Sequence, residues 1–123
     1  MTVAYWIVAG LLSVLYLYSG GKKVLQTKDQ LRPMMAWVDD MPLGLVRTIG
    51  VLELLGVVGL VLPPLTGVAP ELALAAAIGL VLLQIGAAGL HLSRGEAKNI
   101  GLNLTLLVLA GVAAWLAAIV WVG

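Results

Sequence analysis

The sequence contains no cysteine and few charged residues. Of its 123 residues, 62% are hydrophobic and 11% are charged, whereas a soluble domain usually carries about 25% charged residues. Without cysteine, the chain by itself cannot form disulfides, thiolate nucleophiles, zinc–thiolate sites or iron–sulfur sites. The formal net charge of +1 also leaves no basic stripe for binding nucleic acid. We therefore expect no nucleic-acid partner.

Sequence motifs for the common catalytic and binding sites are also missing. We find no metal-ligand spacing, nucleophile elbow, phosphate-binding loop or dinucleotide fingerprint. The only histidine is His91, so a metal or haem site here would lack a second histidine or cysteine ligand. The glycine-containing segment GVLELLGVVG, residues 50–59, follows no strand and is interpreted as helix. We predict no metal site.

Long apolar runs are what the sequence does contain. Four of them reach the roughly 17–25 residues that cross a bilayer as a helix. We predict an all-α fold, a single domain over residues 1–123, forming a transmembrane four-helix bundle with helices at about 3–20, 44–62, 70–92 and 102–122. The first segment, MTVAYWIVAG, has no basic region and no cleavage site, so we expect a retained helix rather than a signal peptide.

The basic residues predict how the bundle is oriented. Lysine and arginine are concentrated in the loops between helices one and two and between helices three and four, whereas the loop PPLTGVA has neither. Because basic loops stay on the cytoplasmic side, we predict a multi-pass protein of the cell membrane with both termini outside. The basic loop residues are Lys22, Lys23, Lys28, Arg32, Arg94 and Lys98.

The first basic loop includes the segment LRPMMAWVDDM, residues 31–41. Pro33 suits a first helical position, and Met34, Trp37 and Val38 share one face, with acidic residues on the other. This pattern predicts a short helix lying in the membrane interface at about residues 33–40, with a plain loop as the alternative.

Polar residues inside the predicted helices fall in the cytoplasmic half of the membrane. At a rise of about 1.5 Å per residue, Glu53 lies about 13 Å deep, Gln84 about 12 Å and Ser13 about 10 Å. A shallower layer, within roughly 5 Å of the surface, holds Arg47, His91 and Asn103. This one-sided distribution predicts a polar pocket that opens toward the cytoplasm.

Arg47 and Glu53 raise the question of partners. They lie about 120° apart around the helix and about 9 Å apart along it, so they cannot easily bridge each other. A carboxylate at that depth needs a partner or a proton. The candidates are Lys23 reaching inward, Gln84, and the hydroxyls of Ser13 and Tyr16.

Structural roles are the alternative for each of these residues. Arg47 can anchor the helix at the interface or cap neighbouring carbonyls, and Glu53 can hold helix two to helix one. His91 can be a plain surface histidine, while Gln84 and Asn103 are often interhelical hydrogen-bonding residues. A separate small-residue face on helix three allows another helix of this subunit, or of a second copy, to approach closely. It consists of Ala75, Gly79 and Gly86.

Four segments in this order resemble the DoxX-like family of small four-helix membrane proteins. They are YSGGKKVL, RTIGVLELLGVVGLVLP, AAAIGLVLLQIGAAGLHLSRGE and NLTLLVLA. The resemblance assigns the family's polar positions to Lys23, Arg47, Glu53, His91 and Asn103, with Gly50 and Gly56 as the glycines of helix two. Two features depart from the pattern: Gln84 stands where an apolar residue or methionine is expected, and the C-terminus lacks a basic ending.

The resemblance implies a link to membrane redox chemistry. Related proteins include subunits linked to thiosulfate:quinone oxidoreduction and to a membrane oxidoreductase assembly, and one relative resembles a receptor-assembly chaperone. Our leading hypothesis is a redox-associated module that recruits cytoplasmic oxidoreductase partners and binds a quinone or another small polar or lipophilic molecule. The proposed binding residues are Lys23, Arg47, Glu53, Gln84, His91 and Asn103.

Two other classes of function stay open. The first is a membrane-embedded acid–base enzyme of the isomerase type, with Glu53 as base and His91 as acid. The second is a non-catalytic assembly factor whose polar residues only hold the bundle together. Whether the protein is an enzyme is not decided by the sequence.

Overall fold

The computed structural model describes residues 1–31, 42–95 and 101–122, with only the backbone described at Lys28 and Leu102. Regular structure in these ranges is helical: α1 (Thr2–Leu25), α2 (Lys28–Leu31), α3 (Leu43–Thr66), α4 (Leu72–Ser93) and α5 (Gly101–Ala117), which continues as a π-helical turn (Ala118–Val122). The interfacial helix predicted at 33–40 lies outside the described residues.

Four of these helices are long and apolar enough to cross a membrane, namely Thr2–Leu25, Leu43–Thr66, Leu72–Ser93 and Asn103–Val122. The predicted four-helix bundle is therefore confirmed, with different helix ends. α1 runs five residues past the predicted end because GGKKVL continues the helix. The short α2 was not predicted, although Thr27 and Gln30 form a reciprocal capping box at its start, with N···O distances of 2.9 and 3.3 Å.

The four long helices form a closed ring in the order α1, α3, α4, α5. α1 packs against α3 and α5, and α4 packs against the same two helices from the other side. Buried aromatic, leucine and alanine side chains fill the centre, among them Tyr5, Leu12, Leu60, Leu80 and Ala110. One end of this ring, where α1 ends, α3 begins and α4 ends, is here named the basic end. It carries Lys22, Lys23, Arg47 and Arg94.

The outer surface of the ring is apolar. Large hydrophobic side chains on every long helix are exposed, for example Val3, Leu55, Leu82 and Trp115. A water-soluble monomer rarely exposes such continuous apolar surface, whereas a lipid bilayer solvates it. The bilayer is thus the environment that this surface requires.

Glycines set the closest approaches between helices. A Cβ atom on Gly20 would lie 2.9 Å from the carbonyl oxygen of Gly50, so α1 and α3 cross almost backbone to backbone near the basic end. Farther along α3, a Cβ on Gly59 would lie 2.7 Å from the Cβ of Ala76 in α4. Small residues at such crossings allow the close van der Waals packing on which helix association in membranes depends.

The opposite end of the ring is held by a hydrogen bond to the last turns of α3. Pro64 has no N–H group, so the carbonyl of Leu60, four residues earlier, receives no bond from its own helix. The Tyr5 hydroxyl of α1 donates to this carbonyl at 2.6 Å. The Tyr5 ring packs edge-on against Trp6 and Trp121, each at a centroid distance of 5.4 Å. The proline therefore supplies the acceptor that ties α1 to α3.

We expect Tyr5→Phe to lower the free energy of unfolding by about 1 kcal/mol, because the Leu60 carbonyl then has no donor. In a Pro64→Ala background the new backbone N–H can satisfy that carbonyl, so the same change should cost less. Unfolding in detergent micelles of the two single variants and the double variant measures the difference. An equal effect of Tyr5→Phe in both backgrounds would contradict this role of Pro64.

Candidate functional site

Polar side chains from all four long helices meet inside the ring. α1 contributes Ser13, Tyr16 and Lys23, α3 contributes Glu53, α4 contributes Gln84 and α5 contributes Asn103. Five of these side chains are buried, and that of Asn103 is half-buried. We call this set the polar layer. Lipid cannot satisfy polar groups, so they turn inward, where most of them bind one another.

Glu53 is paired with Lys23. Lys23 belongs to the last turn of α1, and its ammonium is directed back along the helix, where it donates to Ser19 Oγ at 3.1 Å and forms an ion pair with Glu53 Oε1. Side chains on a helix lean toward its N-terminus, which directs Lys23 into the bundle. The preceding Lys22 instead lies over the Tyr18 ring, 5.3 Å from its centroid. Of the candidate partners, Lys23 is the one that binds Glu53.

A second group of hydrogen bonds links the other three helices of the layer. Gln84 Nε2 donates to the Tyr16 hydroxyl at 2.8 Å, and Asn103 Nδ2 donates to Gln84 Oε1 at 2.9 Å. Gln84 is therefore the central member of this group. Both amides were candidate site residues from the sequence, but the hydrogen bond between them was not predicted.

The depth expected for Asn103 was wrong. It was assigned to a shallower layer than Gln84, yet the two side chains are hydrogen bonded. Gln84 lies nine residues before the end of α4, whereas Asn103 lies only two residues after the start of α5. Asn103 thus reaches the depth of Gln84 although it is only two residues into the described part of α5, and counting residues from assumed membrane boundaries could not reveal this offset.

Helix register places Glu53 at the level of Gln84. A Cβ on Gly56 would meet Leu80, and one on Gly59 would meet Ala76. Because α3 and α4 are antiparallel, this register puts Glu53 opposite Leu83, next to Gln84 in sequence. The ion pair and the amide group therefore lie at one depth.

Hydrogen-bonding capacity is left over within the layer. Glu53 is 3% exposed, and its Oε2 atom has no hydrogen-bond partner among the described residues; the same is true of Ser13 Oγ. The Tyr16 hydroxyl accepts a bond from Gln84, which leaves its own proton for another acceptor, and it lies within electrostatic reach of the Glu53 carboxylate. Buried polar groups without partners are uncommon in native proteins. Glu53 Oε2, the Tyr16 proton and Ser13 Oγ are thus hydrogen-bonding groups that the described residues leave unused.

Arg47 lies outside the polar layer. Its guanidinium donates to the Val24 carbonyl through Nη1 and to the Gln26 carbonyl at 3.4 Å through Nη2. These carbonyls belong to the end of α1, where helix geometry leaves acceptors unsatisfied. Arg47 therefore fastens the start of α3 to the end of α1, which agrees with the carbonyl-capping alternative.

His91 lies at the basic end, in the last turn of α4, and is half-buried. It is seven residues from Gln84, or about 10 Å along the helix. Because Glu53 lies at the level of Gln84, His91 is separated from Glu53 by a similar distance along the bundle. An acid and a base that act on one bond must both reach it. Tyr16, in the same layer as Glu53, therefore fits the role of a second acid–base group better than His91. In residues 1–31, 42–95 and 101–122, no three His, Asp or Glu side chains are grouped as metal ligands are.

An apolar groove lies on the lipid-facing side of α3 and α4. It has a volume of about 330 Å³ and is lined by Leu52, Gly79, Leu82 and Leu83. Leu52 and Leu83 directly precede Glu53 and Gln84, so the groove is at the depth of the polar layer. The polar pocket expected at the cytoplasmic side stays a prediction.

No described residue packs closely on the small-residue face of α4. Cβ atoms added to Gly79 or Gly86 would meet nothing within 4 Å, and Ala75 is exposed. The face points outward, so the alternative in which another helix of this subunit packs on it finds no support among the described residues.

The apolar helices and the interior polar layer define a multi-pass integral membrane protein of the four-helix type. A family model described as the DoxX-like family matches residues 7–114. The chain belongs to the DoxX-like family, as the resemblance in its motifs indicated, and the match includes every residue of the polar layer. Comparison with curated proteins and with solved structures gave no match.

We expect Lys23→Met to destabilise the protein by about 3–5 kcal/mol, because it leaves Glu53 buried without its cation. The double variant Lys23→Met/Glu53→Leu should be more stable than Lys23→Met alone, since neither charge remains. Reversible unfolding in micelles provides the comparison. A double variant less stable than both single variants would contradict a mainly electrostatic pairing.

For the amide group, we expect a double-mutant cycle of Gln84→Leu and Asn103→Leu to show a coupling energy of about 1 kcal/mol, typical of interhelical hydrogen bonds in membranes. Ser93→Ala, which removes only an exposed hydroxyl bonded to the Leu90 carbonyl within α4, serves as the control partner and should not couple to Asn103. Additive effects of the two leucine substitutions would show that this hydrogen bond contributes nothing to stability.

Proposed function

We propose that this protein is a redox-associated membrane module whose polar layer binds the polar head of a lipophilic molecule, with a quinone as the best-fitting class. The observation that carries this proposal is the unused hydrogen-bonding capacity of Glu53 and Tyr16 in an otherwise apolar interior. Such groups are the few polar contacts that orient a ligand in a mostly apolar site.

The chemistry of a quinone matches these two groups. A quinone carbonyl accepts hydrogen bonds and is served by the Tyr16 hydroxyl, whereas the hydroxyl of the reduced quinol donates and is served by Glu53 Oε2. Glu53 can also exchange a proton with the ligand, because a carboxylate held by a single ammonium keeps one oxygen for this purpose. Among the binding residues proposed from the sequence, Lys23, Glu53, Gln84 and Asn103 belong to the layer. Arg47 and His91 then act from the basic end.

The groove between α3 and α4 supports a ligand with an apolar tail. Its leucine lining faces the bilayer at the level of Glu53 and Gln84. A tail could lie in this groove while the head approaches the layer between the two helices. The ligand would then come from the membrane, where quinones are dissolved.

The basic end supports the recruitment of partners. Lys22, Arg47 and Arg94 are located there, and the positive-inside tendency assigns this end to the cytoplasm, with both termini outside. A cytoplasmic oxidoreductase that docked at this end would lie on the same side of the membrane as Lys23. A second copy could pack on Ala75, Gly79 and Gly86, but it would cover Gly79 and so compete with a ligand in the groove.

A second candidate is an acid–base enzyme that isomerises a lipophilic substrate. The free oxygen of Glu53 favours it, since a buried carboxylate with one unpaired oxygen can remove a proton. Turnover that requires Glu53 in the absence of any quinone would favour this candidate. A non-catalytic assembly factor is the remaining alternative, in which Glu53→Gln alters stability or partner binding but no ligand response exists.

Quinone binding can be tested on the purified protein in nanodiscs. We expect a long-tailed quinone to raise the melting temperature and Tyr16→Phe to reduce this rise. A ligand at 100 times its Kd stabilises by about 2.7 kcal/mol. Extraction of the natively purified protein should yield a quinone. If no quinone is extracted and no quinone analogue changes the melting temperature, the quinone proposal is wrong.

The groove offers a matched pair of variants. We expect Gly79→Leu to fill the groove and to abolish the thermal shift caused by a long-tailed quinone, while the shift caused by a tail-less quinone persists. Gly86→Leu adds the same side chain to the outer face of α4, at a position outside the groove lining, and should leave both shifts unchanged. If the two variants respond alike, the tail does not occupy this groove.

A further inference from the structure

The crossing of α1 and α3 lies directly beside the ion pair. A Cβ on residue 50 would lie 2.8 Å from the Cβ of Lys23, 2.9 Å from the Gly20 carbonyl oxygen and 3.0 Å from Val24 Cγ2. The first two are a side-chain stem atom and a backbone atom, which cannot rotate out of the way. Any residue other than glycine at position 50 must therefore shift the backbones of α1 and α3 relative to each other, and the Cβ of Lys23 moves with α1.

Lys23 has two places to put its ammonium. In the structure the side chain turns into the bundle and binds Glu53 Oε1 and Ser19 Oγ. Because Lys23 lies in the last turn of α1, its long stem could equally carry the charge out to the membrane surface, as lysines at helix ends usually do. Whether the ammonium turns inward thus depends on the position of the Lys23 Cβ, and the contact with Gly50 sets that position.

We propose that Gly50 is a positioning residue that sets the charge state of Glu53 by placing Lys23 on it. With glycine at position 50, the ammonium reaches the carboxylate and both groups stay ionised. With a Cβ at position 50, Lys23 moves toward the basic end and Glu53 takes up a proton. A lone carboxylate that is 3% exposed in an apolar bundle is far less stable than the protonated acid.

The neighbouring contacts limit how α1 can respond. Arg47 binds the carbonyls of Val24 and Gln26, one and three residues beyond Lys23. At the other end of the ring, Tyr5 binds the Leu60 carbonyl. α1 is held to α3 on both sides of the crossing. A methyl group added at position 50 therefore shifts α1 locally and does not separate the two helices. Among the described residues, the charged or titratable groups that face Glu53 are Lys23 and Tyr16.

One consequence of this inference rests on the proposed function: by keeping Glu53 ionised, Gly50 keeps it able to accept a proton from a ligand. The placement of Lys23 can be measured without any ligand. The infrared C=O stretching band of a protonated carboxyl group reports it, and a purely structural role of Gly50 would not change that band.

The experiment compares Gly50→Ala with Gly44→Ala in nanodiscs. Gly44 lies two turns earlier on the same helix, and a Cβ there meets nothing within 4 Å. We expect a protonated-carboxyl band in Gly50→Ala that is absent from the native protein and from Gly44→Ala. The band should disappear in Gly50→Ala/Glu53→Gln, and Lys23→Met alone should produce it. A folded Gly50→Ala protein without the band, or an equal band in Gly44→Ala, overturns the proposal.

A second pair of variants tests the same crossing from α1. A Cβ on Gly20 would lie 2.9 Å from the Gly50 carbonyl oxygen, whereas a Cβ on the adjacent Gly21 meets nothing within 4 Å. If Gly50→Ala does not fold, Gly20→Ala should show the band and Gly21→Ala should not. If neither Gly50→Ala nor Gly20→Ala folds while Lys23→Met does, the crossing only holds the helices together and the proposal is wrong. If Gly50→Ala shows the band but no quinone raises the melting temperature of the native protein, the role of Gly50 stands and the quinone proposal is wrong.

Discussion

The Lys23–Glu53 ion pair is the constraint on which the rest of the interior depends. A carboxylate in the middle of an apolar bundle is tolerable only with a cation beside it, and the cation comes from the last turn of another helix. To bring the two together, α1 and α3 must cross closely, which the glycines at positions 20 and 50 permit. The Arg47 contacts at the end of α1 then keep that crossing in place.

Around this pair, the polar layer joins all four long helices at one depth. The Tyr16–Gln84–Asn103 group is built from uncharged side chains that two hydrogen bonds link to one another. Among the described residues, Glu53 Oε2 and the Tyr16 proton have no hydrogen-bond partner. The unused hydrogen-bonding capacity therefore lies on one member of the ion pair and one member of the uncharged group. This distribution of bonded and unbonded polar groups is what the proposed binding of a polar head rests on.

Sequence patterns predicted the four long helices, the family and the inward face of the polar residues, because each follows from a local regularity. Runs of about 20 apolar residues identify membrane helices, and the burial of Ser13, Glu53 and Gln84 follows from the absence of water in lipid. Partner identities were less accessible. Lys23 was one of several candidates for Glu53, and the Gln84–Asn103 bond was missed because it depends on the depth of Asn103 in the bundle.

The sequence by itself determined that this is a four-helix membrane protein with its polar atoms inside the ring, since hydropathy and helical periodicity act residue by residue. Only the tertiary structure decided that Lys23 turns inward, that Arg47 caps the end of α1 and that the small-residue face of α4 points to lipid. These outcomes depend on the register and spacing of antiparallel helices. A shift of one residue at the Gly20–Gly50 crossing would change each partner, and no local pattern in the chain specifies that register.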